Sequence, residues 1–81
     1  MKNILFYTKS NCHLCEEAYE IVLELINDIP MNIKFVDISQ PHNQPLQEKY
    51  GLRIPVVAQP KHATELDWPF TSDDLRAYLS D

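Results

Sequence analysis

The chain holds two cysteines, and they stand two residues apart in the run Cys12-His13-Leu14-Cys15. Two thiols at this spacing can do redox chemistry. If the run opens a helix, the first sulfur lies beside backbone N–H groups that have no partner inside the helix, at the positive end of its dipole. Both effects favour the thiolate, the form that attacks disulfides. One helical turn brings the second sulfur within reach, so an intramolecular disulfide can close. This reading makes Cys12 the exposed attacker and Cys15, on the buried stripe, the resolving thiol. Lys9, just before the run, favours a thiolate, while Glu16 and Glu17, just after it, oppose one. His13 can add positive charge beside Cys12 or stand as a solvated turn residue. Two other readings of the pair stay open. Cysteines in a reduced protein can serve as small apolar residues. A C-x-x-C is also half of a zinc site, but the histidines left to complete it, His13, His42 and His62, lack the usual paired-ligand spacing.

A second feature lies further along. In Ile54-Pro55-Val56 the proline opens an apolar run and has no N–H to give to a sheet. A cis Ile54–Pro55 bond would turn the chain sharply and leave the Ile54 backbone open to a visiting strand. A trans bond at a strand entrance is the commoner arrangement in proteins. The residues alone leave both forms open.

These features need elements to hold them. Ile4–Tyr7 is short and apolar and reads as a buried strand, with Thr8–Asn11 as the loop that leaves it. From Leu14 to Ile29 apolar residues recur at helical spacing, with Ser10 or Asn11 placed to cap the start and Pro30 just past the end. Ile33–Ile38 reads as a second strand and Ser39–Gln44 as a polar loop. Pro45 suits the first turn of a short helix, Leu46–Tyr50, and Gly51 stands where a helix end takes a residue with positive φ. Ile54–Ala58 and Glu65–Trp68 read as two more strands around a turn at Pro60–Thr64. Thr71 and Asp74 have the spacing of a capping box, and Leu75, Tyr78 and Leu79 give the last helix its apolar face. The order β-α-β-α-β-β-α implies a parallel pair joined by a crossover at the front and an antiparallel pair at the close. The class is α/β: a four-stranded mixed sheet with three helices on its faces.

Composition narrows the functions. At 81 residues the chain has room for one domain, residues 1–81, with a small core. The formal charge of −5 argues against nucleic acid, which needs a basic face. Two cysteines are too few for a disulfide-stapled secreted scaffold. No apolar run approaches the ~20 residues of a membrane span, so no membrane partner is expected. The start, MKNILFYTKS, lacks the apolar stretch of roughly 7–15 residues found in signal peptides. The expected compartment is a reducing cytoplasm, where a thiol pair is more often catalytic or metal-binding than a staple. The expected form is a monomer.

Taken together, Phe6-Tyr7-Thr8-Lys9, Cys12-x-x-Cys15 at a helix start and the later Ile54-Pro55-Val56 resemble the glutaredoxins. The ending, Leu66-Asp67-Trp68-Pro69-Phe70 followed by a capped helix, is similar to a compact bacterial glutaredoxin-like group. The resemblance covers nearly the whole chain. It implies the thioredoxin fold in its glutaredoxin form, a three-layer sandwich. It implies Cys12 as nucleophile, Cys15 as resolving thiol, and Lys9 as the residue that holds the glycyl carboxylate of glutathione. It also implies a cis Pro55, with Ile54 offering its backbone to the cysteinyl part of a bound thiol. Asp73 would belong to the acidic helix start that receives the γ-glutamyl end. His13 and Leu14 stand where the family has Pro-Tyr, and Arg53 where it has Thr, so these three would border the substrate with a different chemistry. The family's Gly-Gly pair before the last helix gives way to Trp68-Pro69-Phe70-Thr71.

The implied function is dithiol exchange on protein or low-molecular-weight disulfides. No bound cofactor is expected. Glutathione is a candidate co-substrate, and glutathione or thioredoxin reductase a candidate electron donor. Two other functions are carried beside it. One is a redox-inactive adaptor that docks an extended peptide over Ile54-Pro55, motivated by Glu16, Glu17 and the missing Gly-Gly pair. The other is an iron–sulfur cluster shared at a dimer interface, implied by analogy with some glutaredoxins.

Overall fold

Alternation along the first strand decides the layers. In β1, Lys2–Thr8, the side chains of Ile4 and Phe6 point to one face and those of Leu5 and Tyr7 to the other, as the two-residue period of a strand requires. Both faces are apolar, so both must be covered. The computed structural model describes residues 1–80, so of the domain expected over 1–81 only Asp81 lies outside the described residues.

The elements follow in the expected order. After β1 come α1 (His13–Ile26), β2 (Met31–Asp37), α2 (Gln44–Tyr50), β3 (Val56–Ala58), β4 (Glu65–Asp67) and α3 (Ser72–Leu79). A short 3-10 turn, Pro41–Asn43, leads into α2. The sheet order is β2-β1-β3-β4. β1 and β2 run parallel with Phe6 opposite Phe35, and β3 is antiparallel to both β1 and β4. One core joins Ile4, Phe6 and Val57 to the inner sides of α1 and α3. The other joins Tyr7, Val56 and Ala58 to Tyr50 of α2. The result is the three-layer sandwich, with α1 and α3 on one face and α2 on the other. No helix among the described residues is long and apolar enough to cross a membrane.

Five local details differ from the sequence-based expectation. α1 stops at Ile26 rather than Ile29, and β2 spans Met31–Asp37 rather than Ile33–Ile38. The cap of α1 is Cys12 rather than Ser10 or Asn11. Asn11 instead takes φ 58°, a left-handed conformation that asparagine tolerates, and the helix begins after it. Gly51 does not use positive φ: its φ is −53° and its N–H donates to the Gln47 carbonyl at 2.8 Å. Its value is close approach, because a Cβ there would stand 2.5 Å from that same oxygen. β3 begins at Val56 rather than Ile54, since the Arg53 and Ile54 N–H groups both donate to the Tyr50 carbonyl and continue the turn of α2.

The head of α3 is fixed as its sequence suggests. Thr71 Oγ1 accepts the Asp74 N–H at 3.1 Å and the Thr71 N–H donates to Asp74 Oδ2 at 2.9 Å, a complete capping box. Leu75 and Leu79 then drop into the core beside α1. Tyr78 ties the helix to the β3–β4 turn: its hydroxyl accepts the Gln59 N–H and donates to the Thr64 carbonyl.

Two substitutions test this account by urea denaturation. Leu75→Ala removes a fully buried side chain and is expected to cost about 2–5 kcal/mol. Thr71→Ala removes one cap and is expected to cost about 1 kcal/mol.

Candidate active site

The site grows from the first turn of α1. Cys12 occupies the N-cap position with extended backbone angles, φ −103° and ψ 102°. There its sulfur accepts the Cys15 N–H at 3.1 Å, a donor the helix cannot satisfy internally. Cys12 and Cys15 are joined as a disulfide with Cα atoms 5.2 Å apart. The Cys12 sulfur thus faces a backbone donor and the positive end of α1, both of which stabilise negative charge on it once the disulfide opens. Cys15 is 5% exposed and packs in the α1 core, whereas Cys12 is half-buried at the surface.

The two residues between the cysteines face outward. Leu14 is exposed, and so is His13, whose Nδ1 lies 3.6 Å from Glu16 Oε2. Lys9 is exposed on the loop between β1 and α1.

Two clefts meet at Lys9. The first, of about 200 Å³, lies beside the disulfide and is lined by Lys9, Asn11, Cys12, Cys15 and Glu16, with Phe6, Tyr19 and Phe35 as its aromatic wall. The second, of about 420 Å³, is lined by Lys9, Ile38, Ser39, Gln47, Gly51 and Leu52. The sequence pattern singles out none of Gln47, Tyr19 and Phe35 as a site residue. One sequence signal exists for the aromatic pair, since Tyr19 follows Cys15 by one helical turn; Phe35 comes to the site only through its place opposite Phe6 in the β1–β2 register.

The Pro55 segment lies at the entrance to β3. The Ile54–Pro55 bond is cis, as is Trp68–Pro69. Pro55 is buried, and its carbonyl accepts the Trp68 N–H at 3.2 Å. The Ile54 N–H is taken by the Tyr50 carbonyl at 3.0 Å, which leaves the Ile54 carbonyl outside these bonds. Arg53 is turned toward β4. Its guanidinium grips Asp67 through two nitrogen–oxygen contacts, 2.7 and 3.3 Å, and reaches Glu65 at 2.8 Å. It also lies over the Tyr50 ring, 5.1 Å from the centroid. The Tyr50 hydroxyl donates to the same Glu65 carboxylate, and Tyr50 stacks on Tyr7 at 4.2 Å.

The structure therefore brings Lys9, Cys12 and Cys15 onto one cleft. His13 and Leu14 stand on the turn between the cysteines. Arg53, Ile54 and Pro55 form a separate segment, and Asp73 is exposed in the first turn of α3; none of these lines either cleft. No group of three or more His, Cys, Asp or Glu side chains among the described residues is placed to hold a metal ion.

A disulfide at the head of a helix, set in a β2-β1-β3-β4 sheet covered on both faces, is the arrangement of the thioredoxin fold. Within that fold the chain belongs to the glutaredoxin-like family, since the model for "Glutaredoxin-like domain (DUF836)" matches residues 3–80. It is similar to the "Glutaredoxin-like protein YDR286C homolog" of Dictyostelium discoideum, 34% identical over 58 residues that make up 67% of this chain. The matched region spans 54% of that relative's length. The X-ray structure of a structural-genomics target protein from X. campestris superposes with a TM-score of 0.78 at 36% identity, over 95% of both chains. Thioredoxin O2 from Arabidopsis thaliana, solved in its oxidized state, shares the fold with a TM-score of 0.69 at 18% identity, over 99% of this chain and 73% of its own.

The ion pairs around Arg53 make stability pH-dependent. Burial alone would raise the Glu65 carboxyl, but the Tyr50 hydroxyl and the Arg53 guanidinium outweigh it and hold the group below the ordinary value of 4.5. Burial, then the Glu65 and Tyr7 contacts, push the Tyr50 phenol up. A carboxyl whose folded value is depressed stabilises the fold above its unfolded value, and that contribution disappears as pH falls through the folded value. Glu65→Gln is therefore expected to lower stability at pH 7, and the gap to wild type is expected to shrink as pH falls below 4.5 in denaturation measured at several pH values.

Proposed function

We propose that the protein is a thiol–disulfide oxidoreductase working by dithiol exchange through Cys12 and Cys15. The observation that carries this reading is the Cys12 sulfur at the N-cap of α1, accepting a backbone N–H and bonded to a buried partner one turn on. In the reduced protein, the Cys12 thiolate attacks one sulfur of a substrate disulfide. A Cys12–substrate S–S bond forms, the substrate S–S bond breaks, and the leaving thiolate takes a proton from water. Cys15, as its thiolate, then attacks the Cys12 sulfur, forms the Cys12–Cys15 bond and releases the second substrate sulfur, which is also protonated. Two electrons and two protons have passed to the substrate, and the protein is left in the oxidised form seen here. A thiol donor, glutathione or a dithiol supplied by thioredoxin reductase chemistry, returns the two electrons.

The remaining residues take supporting roles in this proposal. Lys9, from the 420 Å³ cleft that it shares with Gln47, holds an anionic group of the thiol ligand. Ile54 offers its carbonyl to the ligand backbone, its N–H being engaged with Tyr50. Arg53 acts through the Pro55 segment by tying it to β4. His13 and Leu14 border the attacked sulfur, and Asp73 receives a cationic group at the head of α3. The protein works as a monomer in a reducing cytoplasm, on protein or small-molecule disulfides.

A redox titration followed by alkylation and mass measurement tests the chemistry. The Cys12–Cys15 disulfide is expected to form and open within the range of physiological thiol potentials, and a chain that stays dithiol throughout overturns the proposal. With a disulfide substrate, Cys15→Ser is expected to accumulate the Cys12 mixed disulfide as a mass adduct, whereas Cys12→Ser gives no adduct and loses turnover. Rates of glutathione-coupled and thioredoxin-reductase-coupled reduction identify the donor.

A further inference from the structure

Thiol exchange uses only the sulfur end of the 200 Å³ cleft; its aromatic wall has no role in that chemistry. We propose that this wall is a recognition subsite for polypeptide substrates that carry an aromatic side chain and a carboxylate beside the disulfide to be reduced. The inference rests on the redox reading and names its substrate class.

Three rings form the wall. Phe6 meets Tyr19 with centroids 6.2 Å apart and Phe35 at 5.6 Å, and Tyr19 meets Phe35 at 5.3 Å with the rings inclined by 71°. Phe6 is core, 1% exposed, but Phe35 on the edge strand β2 keeps 51% of its surface in water. A ring left half in water beside two packed rings gains from another aromatic partner, through apolar burial and through the edge-to-face geometry its neighbours already use. The size suits one ring. An engineered apolar cavity of about 150 Å³ accepts benzene, and this cleft measures about 200 Å³. Both cysteines line the same cleft, so a ring seated there holds its chain beside Cys12.

Charge completes the selection. Lys9 and Glu16 both line the cleft. Glu16 lies 3.6 Å from His13 Nδ1, whereas Lys9 has no carboxylate partner among the described residues, so its ammonium is the group open to a ligand carboxylate. The net charge of −5 does not cancel it at close range, because salt limits exposed charges to a reach of ~8 Å at physiological strength. Glutathione brings carboxylates to Lys9 but no ring to Phe35. A polypeptide can bring both.

The experiment is a single-turnover reaction of pre-reduced protein with short peptide disulfides bearing Phe-Asp, Ala-Asp or Phe-Asn beside the cysteine. Two electrons pass from the protein dithiol to the peptide disulfide, which leaves as two thiols; acid quench and mass measurement give second-order rate constants. The Phe-Asp peptide is expected to react about tenfold faster than Ala-Asp, the order one aromatic contact supplies. It is expected to exceed Phe-Asn by about twofold at low salt. Phe35→Ala brings the Phe/Ala ratio near one, and Phe35→Tyr restores it. Equal rates for Phe-Asp and Ala-Asp in the wild type, or a ratio unmoved in Phe35→Ala, overturn the subsite. Equal rates for Asp and Asn overturn the part given to Lys9. If no disulfide is reduced, the redox reading has failed by itself. The cleft is then judged by NMR titration with the Phe-Asp peptide carrying serine for cysteine: shifts at Tyr19 and Phe35 support it, and their absence overturns it.

Discussion

The bond from the Cys15 N–H to the Cys12 sulfur is the constraint around which the rest of the molecule is arranged. It makes one atom serve both as the cap of α1 and as the reactive group, so anything that fixes the start of α1 also fixes the chemistry. Asn11, in a left-handed conformation, ends the loop from β1 at the residue before the sulfur. Ala18 and Val22 bury the inner face of α1 against the sheet, both at 0% exposure. At the far end, Arg76 of α3 pairs with Asp28 just beyond α1, at 2.9 Å on the surface. Such an exposed pair contributes little energy; the packed apolar face does most of the anchoring.

The second half of the molecule is organised by a different interaction. Arg53, Tyr50, Glu65 and Asp67 form a polar knot between the end of α2 and β4, and the Pro55 segment runs between its two sides. With β3 and β4 only three residues each, backbone pairing alone offers few hydrogen bonds there. The knot and the Trp68 N–H bond to Pro55 extend that attachment beyond the strands. The segment before β3 therefore sits on a side-chain framework as much as on a sheet.

Much of this was legible in the residues. The short apolar run Ile4–Tyr7, the helical period after Cys12 and the Thr71–Asp74 spacing are local signals, and a strand, a helix and a capped helix start formed at them. What escaped depended on contacts between distant residues. Nothing local says that Arg53 will meet Asp67 and Glu65, so its ion pairs became visible only once β3 and β4 were paired. At Gly51 the residue type admits two explanations, positive φ and close approach, and only the Gln47 carbonyl decides between them. The sequence points to Ser10 or Asn11 as the cap of α1 because serine and asparagine are the usual capping residues, whereas a sulfur at that position reads first as chemistry. Phe35 looked like an ordinary strand residue; its neighbour Phe6 is far away in sequence and adjacent only through the parallel register.

Lys9 forms part of the wall of both clefts. A single ammonium carries one unit of charge, so two anionic molecules, one in each cleft, would have to share it. Under the proposed function, a carboxylate held in one cleft would draw on the same charge that the other cleft offers, with no movement of the backbone required.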